Sequence, residues 1–169
     1  MRKTLDFIYD SAAALAALFL VGLLIMVLLS IVSRQLHFHM PGTDAYAGYL
    51  MAASGFLALA HTLKRGEHIR VTLLLGVLKG RWRKGIELWA LGFATAFSMM
   101  YAFRSCKLAW QSHQFNDIST ANDATPLWIP QIAMALGTVI LAIAFVDEMV
   151  RELRGQRITP TGDESLRNE

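Results

Sequence analysis

The sequence predicts an all-α integral membrane protein with four transmembrane helices and a short interfacial amphipathic helix between spans two and three. Three observations carry that expectation. Of the 169 residues, 54% are hydrophobic and only 17% charged, against about 25% charged in a typical soluble domain. The charges vanish from long stretches and crowd into short ones, which raises the mean hydropathy to +0.40. Four separate stretches, each with an uncharged centre, are long enough to cross a bilayer.

The first span is 11–33, without a single charge. Arg2 and Lys3 precede it as they would in a signal peptide, but it exceeds the roughly 7–15 residues of a signal core. No small-residue cleavage site follows, so it is expected to stay as an anchor. The second span, 45–63, is uncharged when His61 is neutral. The third, 86–108, has an uncharged centre over 88–103 with Glu87, Arg104 and Lys107 at its ends. The fourth, 127–147, is uncharged up to Asp147. At about 1.5 Å per residue each covers a hydrocarbon core of about 30 Å, the third by including its ends. Lipid offers no partner to backbone N–H and C=O groups, so all four are read as helices.

Orientation follows from the cations. The N-terminus, the loop after span two and the tail after span four hold 13 of the 16 Lys and Arg residues. The opposite side has only Arg34, Arg104 and Lys107. The positive-inside rule then places both termini in the cytoplasm, in agreement with an even number of spans. Tyr9, Trp82 and Trp89 are expected at the inner interface, with Trp110 and Trp128 at the outer one. Residues 1–155 form one transmembrane domain, and 156–169 a polar cytoplasmic tail expected to be disordered. The sequence pI of about 9.2 therefore reflects topology, and no nucleic-acid partner is expected.

Between spans two and three, residues 68–79 place Ile69, Leu73, Leu74, Val77 and Leu78 on one helical face. The segment is too short to cross, so it should lie in the inner interface. Arg81, Trp82, Arg83 and Lys84 would follow as a lipid anchor reaching anionic headgroups. Small residues mark helix seams, because helices in lipid associate through close backbone approach. Such stripes are Ala45, Gly48, Ala52 and Gly55 in span two, Ala90, Ala94, Ser98 and Ala102 in span three, and Ala133 with Gly137 in span four. Thr125 suits an N-cap before Pro126 at the start of span four, although Pro130 could instead open the regular helix.

A transporting or catalytic membrane protein keeps ionisable groups inside its spans. Here spans one and four have none, and span two has only His61 near its inner end. Glu87 is expected to pair within the interface with Arg83 or Lys84, one turn away. Arg104 should extend outward toward Asp117 or Asp123, as a possible outer-face docking group with Lys107. Five histidines raise the question of haem, but His37, His39 and His113 lie outside the spans, and His61 and His68 share one stretch of chain. No phosphate loop, cysteine cluster or metal pair appears, and Cys106 stands alone. No catalytic residue, metal site or cofactor is expected.

Residues 55–71 (GFLALAHTLKRGEHIRV) resemble the small membrane subunit of TRAP (tripartite ATP-independent periplasmic) transporters, the DctQ-type family. The resemblance rests on Arg65, Gly66, His68, Ile69 and Val71 at the end of span two. It rests also on Pro126, Trp128 and Pro130 opening span four with Gly137 beyond, and on Arg34 closing span one before Asp44. The chain departs from the family at Thr43, where a tryptophan is frequent, and at 79–81, where a proline is frequent. The resemblance covers residues 15–146. It implies a non-catalytic scaffold in the bacterial inner membrane. Its partners would be a large polytopic transport subunit, a periplasmic substrate-binding protein and membrane lipids. The complex would take up an organic acid by sodium-coupled symport. The competing reading is a cytochrome-like or other auxiliary four-helix subunit of a different complex. A self-contained exporter would need a carboxylate inside span one, and none is there.

Overall fold

Four α-helices dominate the computed structural model, which describes residues 2–38, 40–64, 81–121 and 123–154, with the side chains of 2–4 and 81–84 excepted. They are α1 (Arg2–Gln35), α2 (Thr43–Lys64), α3 (Arg81–Gln114) and α4 (Trp128–Leu153). The expected interfacial helix at 68–79 and the tail at 156–169 lie outside the described residues. Among the described residues, three helices are long and apolar enough to cross a membrane: Leu5–Gln35, Gly85–Gln114 and Trp128–Leu153. The remaining helix, α2, is 22 residues long and carries Tyr46, Tyr49, Ser54, His61 and Thr62 along its length. The helices pack in the order α1–α2–α4–α3, so α2 and α4 each have protein on two sides.

The face that α1 turns inward repeats at steps of three and four. Tyr9, Ala12, Ala16, Ser30 and Ser33 are buried, with Phe19, Leu23 and Met26 partly buried between them. That period of 3.5 is the seam of two helices wound gently around each other. Tyr9 is 2% exposed. It packs with Ala60 and Ala144, and Leu5, Leu63 and Ile140 close over it. The physical reason is local: Tyr9 falls on the seam, and two alanines opposite leave a hollow that a ring fills.

The seam of α3 runs through Leu91, Thr95, Ser98, Ala102, Ser105 and Ser112. Only part of the expected stripe belongs to it, since Ser98 and Ala102 are buried while Ala90 is exposed. A stripe drawn at every fourth residue drifts around the helix, because 3.6 residues make a turn, whereas a real seam alternates threes and fours. In α4 the expected Gly137 does lie at a crossing. A Cβ built on it would come within 2.6 Å of the Phe56 carbonyl carbon and oxygen. Only glycine lets the α2 and α4 backbones approach so closely.

Four of the hydroxyls in the helices are satisfied within their own helix. Ser54 donates to the Met51 carbonyl (2.9 Å), Thr95 to Leu91 (2.7 Å), Ser98 to Thr95 (2.9 Å) and Thr138 to Ala135 (2.9 Å). Such back-bonding lets a small polar residue serve as a spacer in an apolar medium. Helix α4 begins at Trp128, and its N-cap, Leu127, provides no side-chain bond. Thr125 is therefore not the cap. Pro130 falls in the first turn, where an N–H would have no intrahelical acceptor, so the ring costs the helix nothing there.

Candidate functional site

The end of the bundle where α1 meets α2 and α3 meets α4, here the distal end, collects Arg34, Asp44, Pro126, Trp128 and Pro130 of the residues expected to be functional. One Arg34 guanidinium nitrogen lies 3.4 Å from Asp44 Oδ2, and Ser30 Oγ donates to Asp44 Oδ1 at 3.0 Å. The two charged side chains remain 73% and 77% exposed. An ion pair so open to solvent contributes at most about 1 kcal/mol.

Next to that pair, the segment between α3 and α4 folds into a clasp. The Ser119 N–H donates to the Thr125 carbonyl (2.8 Å) and the Leu127 N–H to Asp117 (2.9 Å), around an antiparallel bridge between Ile118 and Pro126. Helix α2 grips this clasp with two tyrosines. Tyr49 donates its hydroxyl to Ser119 Oγ (2.8 Å), which also accepts the Ala121 N–H (3.2 Å). The Tyr46 hydroxyl pairs with Thr125 Oγ1 at 3.0 Å. Sequence reasoning missed both tyrosine contacts, since their partners are 79 and 70 residues apart.

Asp123 sits inside the clasp, with both carboxylate oxygens closed off from solvent. No donor lies on them in close linear geometry. The Thr125 hydroxyl, then those of Ser119 and Tyr49, nonetheless hold its carboxyl below the usual aspartate range, against a burial effect of opposite sign. Gly42, at φ +87°, completes the wall: a Cβ there would stand 2.9 Å from Asp123 Cβ. The position demands glycine both for its backbone and for the space.

Trp128 lies edge-on to His113 with ring centroids 5.2 Å apart, tying the start of α4 to the end of α3. Arg104 and Lys107 are exposed on α3, and among the described residues neither forms an ion pair. Arg104 thus does not reach Asp123, whose oxygens are already enclosed. Helix α3 continues to Gln114, which carries the chain about 15 Å past Arg104. At the opposite, proximal end, His61 Nδ1 approaches Asp10 Oδ1 at 3.6 Å, and Arg151 pairs with Asp147 at 2.7 Å. Arg65, Gly66 and His68 lie outside the described residues, as do the side chains of Arg81, Trp82, Arg83 and Lys84. Among the described residues, no three His, Cys, Asp or Glu side chains converge as a metal site would need.

The membrane-facing surfaces are of two kinds. Between α3 and α4 an apolar groove of about 320 Å³ is lined by Met99, Ala102, Val139, Ala142, Ile143 and Val146. On α2 the predicted stripe is turned outward. Gly48, Ala52 and Gly55 are exposed, and a Cβ on either glycine would meet nothing within 4 Å.

A family model described as "Tripartite ATP-independent periplasmic transporters, DctQ component" matches residues 23–155, well over half of the chain. The chain belongs to the DctQ family. It is the small, non-catalytic membrane component of a TRAP transporter. No curated protein matches the chain. In this DctQ component the matched range contains the Arg34–Asp44 pair, the outward stripe of α2, Arg104, the clasp and the Pro126–Trp128–Pro130 start of α4.

Proposed function

We propose that this DctQ component braces the large membrane subunit of its transporter, and that α2 carries the line along which the two meet. The observation that carries the proposal is the outward stripe of Gly48, Ala52 and Gly55, left open by the chain's own packing. In lipid there is no hydrophobic drive between helices, so a smooth glycine-containing face gains its value only when another backbone comes close. The chain already uses that device at Gly137 for its own α2–α4 crossing. A second, unused example on α2 is the shape a partner helix would fill.

In this arrangement α2 crosses the membrane together with the other three helices, the termini are cytoplasmic and the distal end faces the periplasm of a bacterial inner membrane. The orientation is the one that the cation distribution favours. The segment at 68–79 lies in the inner interface, anchored by Arg81, Trp82, Arg83 and Lys84. Arg104 and Lys107, exposed on α3 below the clasp, are the cations offered to the periplasmic binding protein. The transporter takes up an organic acid, driven by a sodium gradient. The DctQ component contributes area and orientation, while substrate and ions pass through the large subunit.

The test is leucine at the open positions. Gly48→Leu and Gly55→Leu should leave insertion and thermal stability of the chain intact, because nothing stands within 4 Å of either site. Both should abolish co-purification with the large subunit. Full co-purification and uptake in the double variant would refute the docking line.

A further inference from the structure

A pocket of about 350 Å³ opens at the distal end of α1 and α2, lined by Ser30, Ser33, Arg34, His37, Met40 and Asp44 among others. It presents both signs of charge. Arg34 and Asp44 share a single 3.4 Å contact and stay 73% and 77% exposed, so each retains hydrogen-bonding capacity. The two serine hydroxyls are already committed, Ser30 to Asp44 and Ser33 to the Ser30 carbonyl. His37, at φ 56°, follows the end of α1 and is exposed.

Arg34 also tops an apolar stripe. Ile31, Val27, Leu24 and Leu20 recede from it on the same face of α1, at steps of three and four. All four are exposed, at 52%, 41%, 58% and 58%. The helix is long and apolar enough to cross a membrane and runs to Gln35, so Arg34 stands at headgroup depth. A two-signed polar pocket above an open aliphatic stripe matches one kind of molecule.

We propose that this pocket binds the headgroup of a phospholipid carrying a primary ammonium, of the ethanolamine type. The phosphate sits on the Arg34 guanidinium and the His37 ring, the ammonium on Asp44, and one acyl chain along Ile31, Val27, Leu24 and Leu20. A guanidinium fork fits phosphate oxygens in paired hydrogen bonds. A primary ammonium donates hydrogen bonds to a carboxylate, whereas a trimethylated one has none to donate. Ethanolamine headgroups are therefore held over choline ones. The site requires that α1 cross the membrane, and it does not depend on which side the distal end faces or on the docking line of α2.

The experiment exchanges the purified full-length chain into nanodiscs holding equal parts of phosphatidylethanolamine, phosphatidylcholine and phosphatidylglycerol, then counts retained lipid by native mass spectrometry. Phosphatidylethanolamine should be retained preferentially. Arg34→Gln should cut that retention about tenfold, the worth of one charge-assisted contact. Asp44→Asn should erase the preference over phosphatidylcholine. The exchange Arg34→Asp with Asp44→Arg keeps an ion pair between the helices, so it would restore retention if the pair were only structural; the expected result is no restoration. Soluble glycerophosphoethanolamine should fail to compete, because it lacks the acyl chain. Equal retention of all three lipids by the unaltered chain, unchanged retention in Arg34→Gln, rescue by the exchange, or displacement by the soluble headgroup would each overturn the proposal. None of these outcomes touches co-purification with the large subunit, which tests the docking line separately.

Discussion

Asp123 shows how a single side chain can organise one end of a membrane bundle. It meets the α1–α2 turn at Gly42 and stands among hydroxyls supplied by α2 and by its own loop. Because its carboxyl is held below the ordinary aspartate value, chiefly by Thr125, the charged form is favoured in the folded state. A lowered folded value contributes stability that is present above the unfolded pKa of about 4 and lost as pH falls through the folded value. The clasp should therefore loosen only in acid below the usual aspartate range. Tryptophan fluorescence followed during acid titration would report it, since Trp128 sits at the clasp's edge against His113. Asp123→Asn should move or remove that transition and lower the melting temperature at neutral pH. Coincident acid midpoints in the two proteins would show that Asp123 has no part in it.

Among the elements, α2 and α4 set the geometry. Their crossing is fixed by Gly137 against the Phe56 backbone, and Phe56 in turn faces Tyr101 of α3 with ring centroids 6.3 Å apart. Gly137→Leu would force the two backbones apart, since the obstacle is main chain and cannot rotate away. Overpacking of this kind costs about 1–3 kcal/mol or more. Unfolding in graded denaturing detergent should show that loss for Gly137→Leu and almost none for Gly55→Leu. Equal stability of the two variants would contradict the distinction drawn between a seam within the chain and a seam for a partner.

At the scale of the molecule, the helices form a row and not a closed square, with α1 and α3 at its ends. The end helices show much apolar surface. On α3, Trp89, Phe93 and Phe97 are 73%, 63% and 57% exposed and stack successively at 5.9 and 6.3 Å. Such a row gives a larger partner more area than a compact bundle would, as befits the small component of a TRAP transporter. Arg104 and Lys107 stand exposed below the clasp. Charge reversal of both to glutamate should slow productive encounter with the binding protein by about tenfold at low salt, with the difference shrinking as salt rises. Transport by the reconstituted whole complex at several ionic strengths measures this. Unchanged uptake with intact assembly would remove these two cations from docking.

By itself the sequence determined that the chain is helical and built for lipid, and it carried enough of the DctQ pattern to point to the family. Those properties are local: apolar run length, the need to bond every backbone group within a segment, and motif residues close in the chain. The Arg34–Asp44 pair was within reach for the same reason, being only ten residues apart. Tertiary structure alone decided which small residues face inward, that Tyr9 is buried, and that Tyr46, Tyr49, Ser119 and Thr125 hold a clasp around Asp123. Helices in a membrane show apolar residues on every side, so the buried face is marked by small residues and hydroxyls, and the sequence does not say which of those stripes face inward. That face is chosen by shape, through whether a Cβ fits at a given crossing, and by hydroxyl pairs that only folding brings together.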